Sequence, residues 1–434
     1  MILTSFFRTL FTRSLRPFVF KGVGDEGADP SMLPVEVTRP GLYVHIPFCT
    51  SLCPFCPYCK VLFDEQLARD YLAALLGEID IAGREILRRT GKRLKASSLY
   101  FGGGTPSLMS DSLKTIMDHL DRYFEIEGGR GVELHPRDIS PALLSGLKEA
   151  GITMISIGIQ SFAPDALSVL GREESLNEDI FDSVRNAGFD VVDMDLIFGI
   201  PGQTEDLLRR DMALAFERGA TQVSTYPFID FSFAENKKKP LPERDKKRML
   251  ASLAQCGREL DVERTSVWTF ARRNTEKYSS VTRDCFYGFG VSATSLFPKE
   301  FKVNTFSIPD YIRRVQNGLL PTALRVDFSP RQRAVYYLFW SAYGMTIDAG
   351  RFFSFFGKEL ESMFSLEMYW ARKLGLVDTL TYTDAAGRAW ERHTLSERGA
   401  YVYHWFEQRY TTAYIDTMWR ICRTNPWPQR LVLG

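Results

Sequence analysis

Residues 42–59 read LYVHIPFCTSLCPFCPYC. The apolar run up to Ile46 reads as a buried strand, and Pro47 closes it. Four of the seven cysteines then fall between positions 49 and 59. Cys49, Cys53 and Cys56 have C-x-x-x-C-x-x-C spacing. Three thiolates on one tight loop suit three corners of a four-iron, four-sulfur cube. Iron–sulfur clusters are normally closed by four cysteines, so a three-cysteine loop leaves one iron open for chemistry. Zinc is the competing occupant, but it usually draws on two separated Cys or His pairs. Cys256, Cys285 and Cys422 stand alone, and His119, His135, His393 and His404 show no H-x-x-x-H spacing. A disulfide framework does not suit a 434-residue chain with most cysteines in one loop. Cys59 forms its own C-x-x-C with Cys56 and reads either as an alternative ligand or as a spare thiol.

Around this loop, β-rich runs alternate with helical ones from residue 40 to about 300. Strands are expected at 42–48, 98–101, 132–134, 154–159, 191–199, 222–229 and 265–271. Helices are expected at 65–87, 111–124, 141–150, 177–187, 204–218 and 242–260, with Ser140 and Thr204 as N-caps and Gly188 as a C-terminal stop. Such alternation means parallel strands with crossover helices. Glycine-rich and polar residues follow nearly every strand, as in GGGTPS, ELHP, IQS and DLIFGIP. That favours a full or partial (β/α) barrel, whose strand ends share one functional face. A doubly wound sheet would concentrate function at one switch point.

The chain divides on this reading into residues 1–38, 39–300 and 301–434. Residues 1–21 contain five Phe and four basic residues but no acid. Leu3, Phe7, Leu10 or Phe11, and Leu15 recur at helical spacing. This is either a basic amphipathic helix on a membrane surface or a helix packed on the protein's own body. Residues 22–38, with Gly22, Gly24, Gly27, Pro30 and Pro34, read as a linker. No run is long enough to span a bilayer, and residues 1–21, without an uninterrupted apolar core or a small-residue cleavage site, are not expected to be a signal peptide, so the expectation is a cytoplasmic protein, with contact at a membrane surface if the first reading of the helix holds. In the tail, helices at 329–352, 356–374 and 396–423 surround strands at 376–382 and 389–395, a winged-helix-like pattern. Glu359, Glu361 and Glu367 oppose DNA binding there, and the net charge of +1 points to no nucleic-acid partner.

YVHIPFC, GGGTPS, VELHPRDI, SIGIQSF, DLIFGIPGQT and GFGVSATS occur in this order. Together they resemble radical S-adenosylmethionine (SAM) enzymes, specifically the oxygen-independent coproporphyrinogen III oxidase-like group. The resemblance implies a 4Fe-4S cluster on Cys49, Cys53 and Cys56 that chelates SAM and cleaves it to a 5′-deoxyadenosyl radical. It places Tyr43 near the cluster and Gly103, Gly104 and Thr105 along the methionine part of SAM. It gives Glu133, Gln160 and Arg172 polar contacts to SAM, and puts Asp195 between two SAM molecules where two bind; Tyr43 and Asp195 are the candidates nearest the chemistry. It further implies a flavodoxin- or ferredoxin-like electron donor and a lipophilic or tetrapyrrole small-molecule substrate. Three features depart from the group. Cys59 follows Cys56 by three residues where the oxidases keep two, Tyr278-Ser279 stands where they carry Phe-Gln, and residues 276–288 lack the heme-chaperone H-N-x-x-Y-W signature. The leading expectation is therefore methyl or methylene transfer to an apolar or unsaturated substrate. The alternatives are oxidative decarboxylation of coproporphyrinogen III and non-catalytic heme binding or delivery.

Overall fold

The computed structural model describes residues 2–25, 39–172, 178–236, 238–276 and 284–434. Most of the expected linker, the first residue of the expected 177–187 helix and Tyr278-Ser279 lie outside the described residues.

Six parallel strands lie side by side in chain order: Gly41–Ile46, Ser98–Gly103, Arg130–Leu134, Met154–Gln160, Val191–Phe198 and Gln222–Pro227. Sequential order is the winding of a barrel; a doubly wound sheet reverses its order at a switch point. Among the described residues the sheet does not close. Beyond Gln222–Pro227 come the short strands Thr269–Ala271 and Glu263–Arg264, and beyond Gly41–Ile46 comes Phe286–Phe289. The fold is thus a partial barrel. Residues 265–271 do not form the parallel strand expected of them. A turn at Thr265–Trp268, held by Ser266 Oγ donating to Thr269 Oγ1 at 2.8 Å, reverses the chain, so Thr269–Ala271 runs antiparallel to its neighbour.

The expected caps form. Ser140 Oγ accepts from the Leu143 N–H and Thr204 Oγ1 from the Leu207 N–H, while Gly188 takes the left-handed conformation after Ala187. Alternate residues of the barrel strands, among them Leu42, Val44, Phe101, Val132, Ile155, Ile157, Met194 and Leu196, join helix side chains such as Leu75, Ile79, Ile116 and Leu208 in one core. Each such burial contributes about 1.5–3 kcal/mol. The intervening residues face inward, and there the sequence turns polar.

The first expected boundary is different. Helix Ile2–Thr12 is followed by strand Phe18–Gly22, inserted between Thr322–Asp327 and Arg430–Leu433. Pro17 prevents helix continuation, and the apolar Phe18-Val19-Phe20 suits a strand with Phe20 buried. The antiparallel strands Thr294–Leu296, Glu300–Asn304 and Thr322–Asp327 continue the same sheet through residue 300, so the second expected boundary falls inside a hairpin.

In the tail, the hairpin Val377–Thr383 and Ala389–Leu395 forms as expected and gains a third strand, Thr346–Asp348. That strand splits the expected 329–352 helix into Pro330–Tyr343 and Ala349–Phe356. Gly344 ends the first, Met345 has φ 62°, and Asp348 caps the second. With Leu360–Lys373 this is a winged-helix arrangement. No helix among the described residues is long and apolar enough to cross a membrane.

Candidate active site

The cysteine loop is tied at both ends. Phe48–Cys49 pairs with Val61–Leu62, the Val61 N–H donates to the Pro47 carbonyl at 2.8 Å, and the Phe63 N–H to that of Cys49 at 2.9 Å. Within it the Cys56 N–H donates to the Cys53 carbonyl at 3.2 Å, and Lys60 Nζ to the Cys56 carbonyl at 2.7 Å. Cys49, Cys53 and Cys56 are free thiols, the first buried and the others half-buried. Burial pushes the Cys49 thiol up to about 11 and raises Cys56, against the pull of Lys60. Such thiols ionise when a cationic metal centre compensates the charge. Three soft thiolate donors on one loop, tied at both ends, fit a multi-iron cluster.

Cys59 is placed apart from that set. It lies in the hydrophobic core, its Sγ 3.5 Å from the Phe306 carbonyl. Its own carbonyl accepts from His45 Nε2 at 2.9 Å. A carbonyl only accepts, so Nε2 carries the proton; burial lowers the His45 pKa to about 4, leaving Nδ1 to accept from the Tyr43 hydroxyl at 2.9 Å. Cys59 thus contributes its backbone to the orientation of Tyr43.

The Gly-Gly-Gly-Thr segment packs on the start of the loop. The Gly104 N–H donates to the Ile46 carbonyl and the Thr105 N–H to that of Phe48, at 2.8 and 2.7 Å, and Thr105 Oγ1 approaches Cys49 Sγ at 3.7 Å. A Cβ on Gly104 would stand 2.6 Å from the Phe48 carbonyl oxygen and 3.0 Å from Cys49 Sγ. Gly103, at φ 120°, donates its N–H to Glu133 Oε2 at 3.0 Å. Tyr100 Oη donates to Glu133 Oε1 at 2.8 Å and its ring stacks on Tyr43. Burial raises the Glu133 carboxyl, and these two donors oppose the shift.

Across the barrel, Ser156 Oγ donates to Asp195 Oδ2 at 2.8 Å. Two positions earlier on the same strand face, Asp193 Oδ2 accepts from Gln222 Nε2 at 2.8 Å and Ser224 Oγ at 2.7 Å, while the buried Asp193 Oδ1 has no hydrogen-bond partner. Burial pushes Asp193 up to about 6; burial and then the Asp193 charge raise Asp195 well above the usual carboxylate range. One strand away a bulge disturbs the ladder: Ile157 pairs with Met194, but Gln160 pairs with Leu196. The extra residue re-aims the strand end, and Gln160 sits at φ 70°. Arg172 Nη1 donates to the Gly158 carbonyl at 2.5 Å, with its guanidinium over Phe55 of the cysteine loop.

Tyr43, Tyr100, Glu133, Ser156, Asp195 and Tyr226 therefore form one inward row across six strands. Tyr226 is 41% exposed although its strand is paired on both sides, so it faces an open lumen. Desolvation beside the loop, and after it the Glu133 and Asp195 charges among others, raise the Tyr58 pKa. The tail completes the wall. Trp419 packs on Tyr58, and Arg423 Nη2 donates to the Pro57 and Tyr58 carbonyls at 2.8 and 2.7 Å. Tyr343 lies edge-on to Trp268, which lies edge-on to Tyr226. Asp193, Tyr58, Tyr226 and Arg423 were not singled out from the sequence. Asp193 was available to it, since alternation in Val-Asp-Met-Asp-Leu puts both acids on one face.

The Radical SAM superfamily description matches residues 43–215. These residues are a radical SAM domain. The superfamily works with a 4Fe-4S cluster and SAM. The chain is similar to the heme chaperone HemW of Bacillus subtilis, at 27% identity over 74% of this chain and 88% of that one. It is similar to an oxygen-independent coproporphyrinogen III oxidase of Pseudomonas aeruginosa, at 29% identity over 64% of this chain and 66% of that one. Its fold is that of coproporphyrinogen III oxidase (HemN) from Escherichia coli, with a TM-score of 0.67 over 87% of this chain and 91% of that one, at 22% identity. These relatives carry the names of the two alternatives raised from the sequence; methyl transfer gains no support from them.

Proposed function

We propose that this chain is a radical SAM enzyme whose substrate is a tetrapyrrole, with oxidative decarboxylation of a propionate side chain as its reaction. The observation that carries this reading is the lumen: an inward row from Tyr43 to Tyr226, walled by Tyr58, Trp268 and Trp419, opens beside the cysteine loop. Aromatic walls suit a flat macrocycle. The relatives named for coproporphyrinogen oxidation and heme binding point to the same substrate class.

In this proposal Cys49, Cys53 and Cys56 hold the cluster. Bound there, the cluster supplies the electron that cleaves SAM to methionine and a 5′-deoxyadenosyl radical. Gly103, Gly104 and Thr105 present backbone to the methionine part of SAM; a Cβ at Gly103 would meet the His45 ring and one at Gly104 the Phe48 carbonyl. Glu133 fixes the Gly103 amide, and Gln160 and Arg172 supply polar groups on the opposite side. Tyr43, held by neutral His45, has a hydroxyl set in one orientation, and Asp195 faces the lumen with its carboxyl raised by burial and then by the Asp193 charge. A flavodoxin- or ferredoxin-like protein is the proposed electron donor.

Methyl or methylene transfer from a second SAM is the second reading. The pair Asp193–Asp195 favours it, since two carboxyls at one place on the barrel wall offer a counter-charge to a second sulfonium. The test is anaerobic turnover of the reconstituted protein with methyl-labelled SAM and either coproporphyrinogen III or heme. Tetrapyrrole-dependent 5′-deoxyadenosine with carbon dioxide release supports decarboxylation, and label in the macrocycle supports carbon transfer. Stoichiometric heme binding without SAM cleavage contradicts both and favours delivery.

A further inference from the structure

Helix Ile2–Thr12 has two apolar faces. The inner one is occupied: Phe7 meets Phe406 edge-on at 4.5 Å and Trp405 at 6.2 Å, and Phe11 meets Phe406 at 6.1 Å. The outer one, with Leu3, Phe6 and Leu10, is exposed, Phe6 by 59%. Just past the helix Leu15 is 86% exposed. That turn is held by Arg8, which is buried and donates to the Ser14 and Arg16 carbonyls. Protein structure thus fixes four large apolar side chains in water, where a polar residue costs nothing.

A second exposed stripe adjoins the first. On Leu360–Lys373 and just beyond it, Leu366, Tyr369, Trp370 and Leu374 recur at helical spacing and are all exposed, Trp370 by 47%. Glu367 between them binds Arg13 and Arg331, each at 2.8 Å, and so joins the two helices. Lys373 lies over the Tyr369 and Trp370 rings. In a winged-helix arrangement this third helix is where a DNA reader carries basic residues; here its outward face is aromatic and aliphatic.

The charges around this surface choose its occupant. Residues 2–22 contain Arg8, Arg13, Arg16 and Lys21 and no acid, and Glu367 is already neutralised by two arginines. An apolar face edged by arginine and lysine, with Trp and Tyr at its margin, has the composition of an element lying in the headgroup layer of a membrane. We infer that the outer faces of helices Ile2–Thr12 and Leu360–Lys373 together form a docking surface for an anionic lipid bilayer. Three exposed basic side chains, Arg13, Arg16 and Lys21, give attraction that salt screens, and the apolar faces give burial that salt does not weaken.

The test is flotation of the full reconstituted chain with phosphatidylcholine vesicles, with and without phosphatidylglycerol. Binding is expected to require phosphatidylglycerol and to fall with salt. Phe6→Glu and Trp370→Glu, each on a different helix, should each weaken it about tenfold or more, from lost burial and added negative charge. Leu260→Glu, exposed but outside both helices, should leave it unchanged. Circular dichroism and cluster absorbance confirm that each variant is folded. Absence of flotation, or flotation insensitive to Phe6→Glu and Trp370→Glu, overturns the inference. So does a dimer in sedimentation that both variants dissolve without any vesicle binding, which assigns the surface to a second copy of the chain. Flotation does not depend on turnover, so its outcome is independent of the proposed reaction.

Discussion

Glu133 links two parts of the site through single hydrogen bonds. Its carboxylate joins the Gly103 amide to the Tyr100 hydroxyl, and Tyr100 stacks on Tyr43. Glu133→Gln keeps the shape but replaces a charged acceptor, a difference of about 1.4 kcal/mol or more. SAM affinity, measured by equilibrium binding to the reconstituted protein, should fall about tenfold or more. Glu78 makes a different prediction. It is buried and accepts from Tyr311 Oη, the Gly290 N–H and Asn304 Nδ2, at 2.6, 2.7 and 3.0 Å. Burial pushes it up to about 7. A carboxyl with a raised folded-state pKa favours folding while protonated. Its contribution is complete below the ordinary glutamate range and is lost as pH rises through about 7. Glu78→Gln should flatten the fall in the urea midpoint between mildly acidic and mildly alkaline pH. The cysteine spacing and the glycines were legible because each is a local signal with a local reason. Asp193 is legible only through strand alternation, which puts it on the same face as Asp195; no motif of its own marks it.

At the scale of elements, the cysteine loop depends on a helix that follows it by more than 350 residues. Arg423 on Asp416–Thr424 holds the Pro57 and Tyr58 carbonyls. Arg423→Ala should loosen the loop. Alkylation of Cys53 and Cys56 in the metal-free protein should become several-fold faster, while Cys59, in the core, stays slow. Gly104→Ala should act more severely, because the new methyl meets backbone at 2.6 Å and the loop must shift; iron content after reconstitution is the readout. Neither Arg423 nor strand Phe18–Gly22 could be read locally. The strand is a strand because Thr322–Asp327 and Arg430–Leu433 flank it, and no pattern within residues 18–22 names those partners. The 346–348 strand inside an expected helix has the same cause, since its partner is Thr394–Arg392 across the wing.

At the scale of the whole molecule, one sheet runs from Glu263–Arg264 through the six parallel strands to Arg430–Leu433. Barrel and tail are therefore one cooperative object at the sheet, and the tail also supplies Tyr343, Trp419 and Arg423 to the lumen. The sequential strand order was legible because strand and helix signals alternate without interruption from residue 41 to 260. The open edge was not, because closure depends on which distant strand pairs with which. The central claim is a radical SAM site acting on a tetrapyrrole in that lumen. Its most direct test is SAM cleavage by the reconstituted chain under anaerobic reduction, measured as 5′-deoxyadenosine with and without a tetrapyrrole. The account predicts cleavage that rises several-fold when coproporphyrinogen III or heme is added and disappears in Cys53→Ala. Cleavage indifferent to every tetrapyrrole, or undiminished in Cys53→Ala, would contradict it.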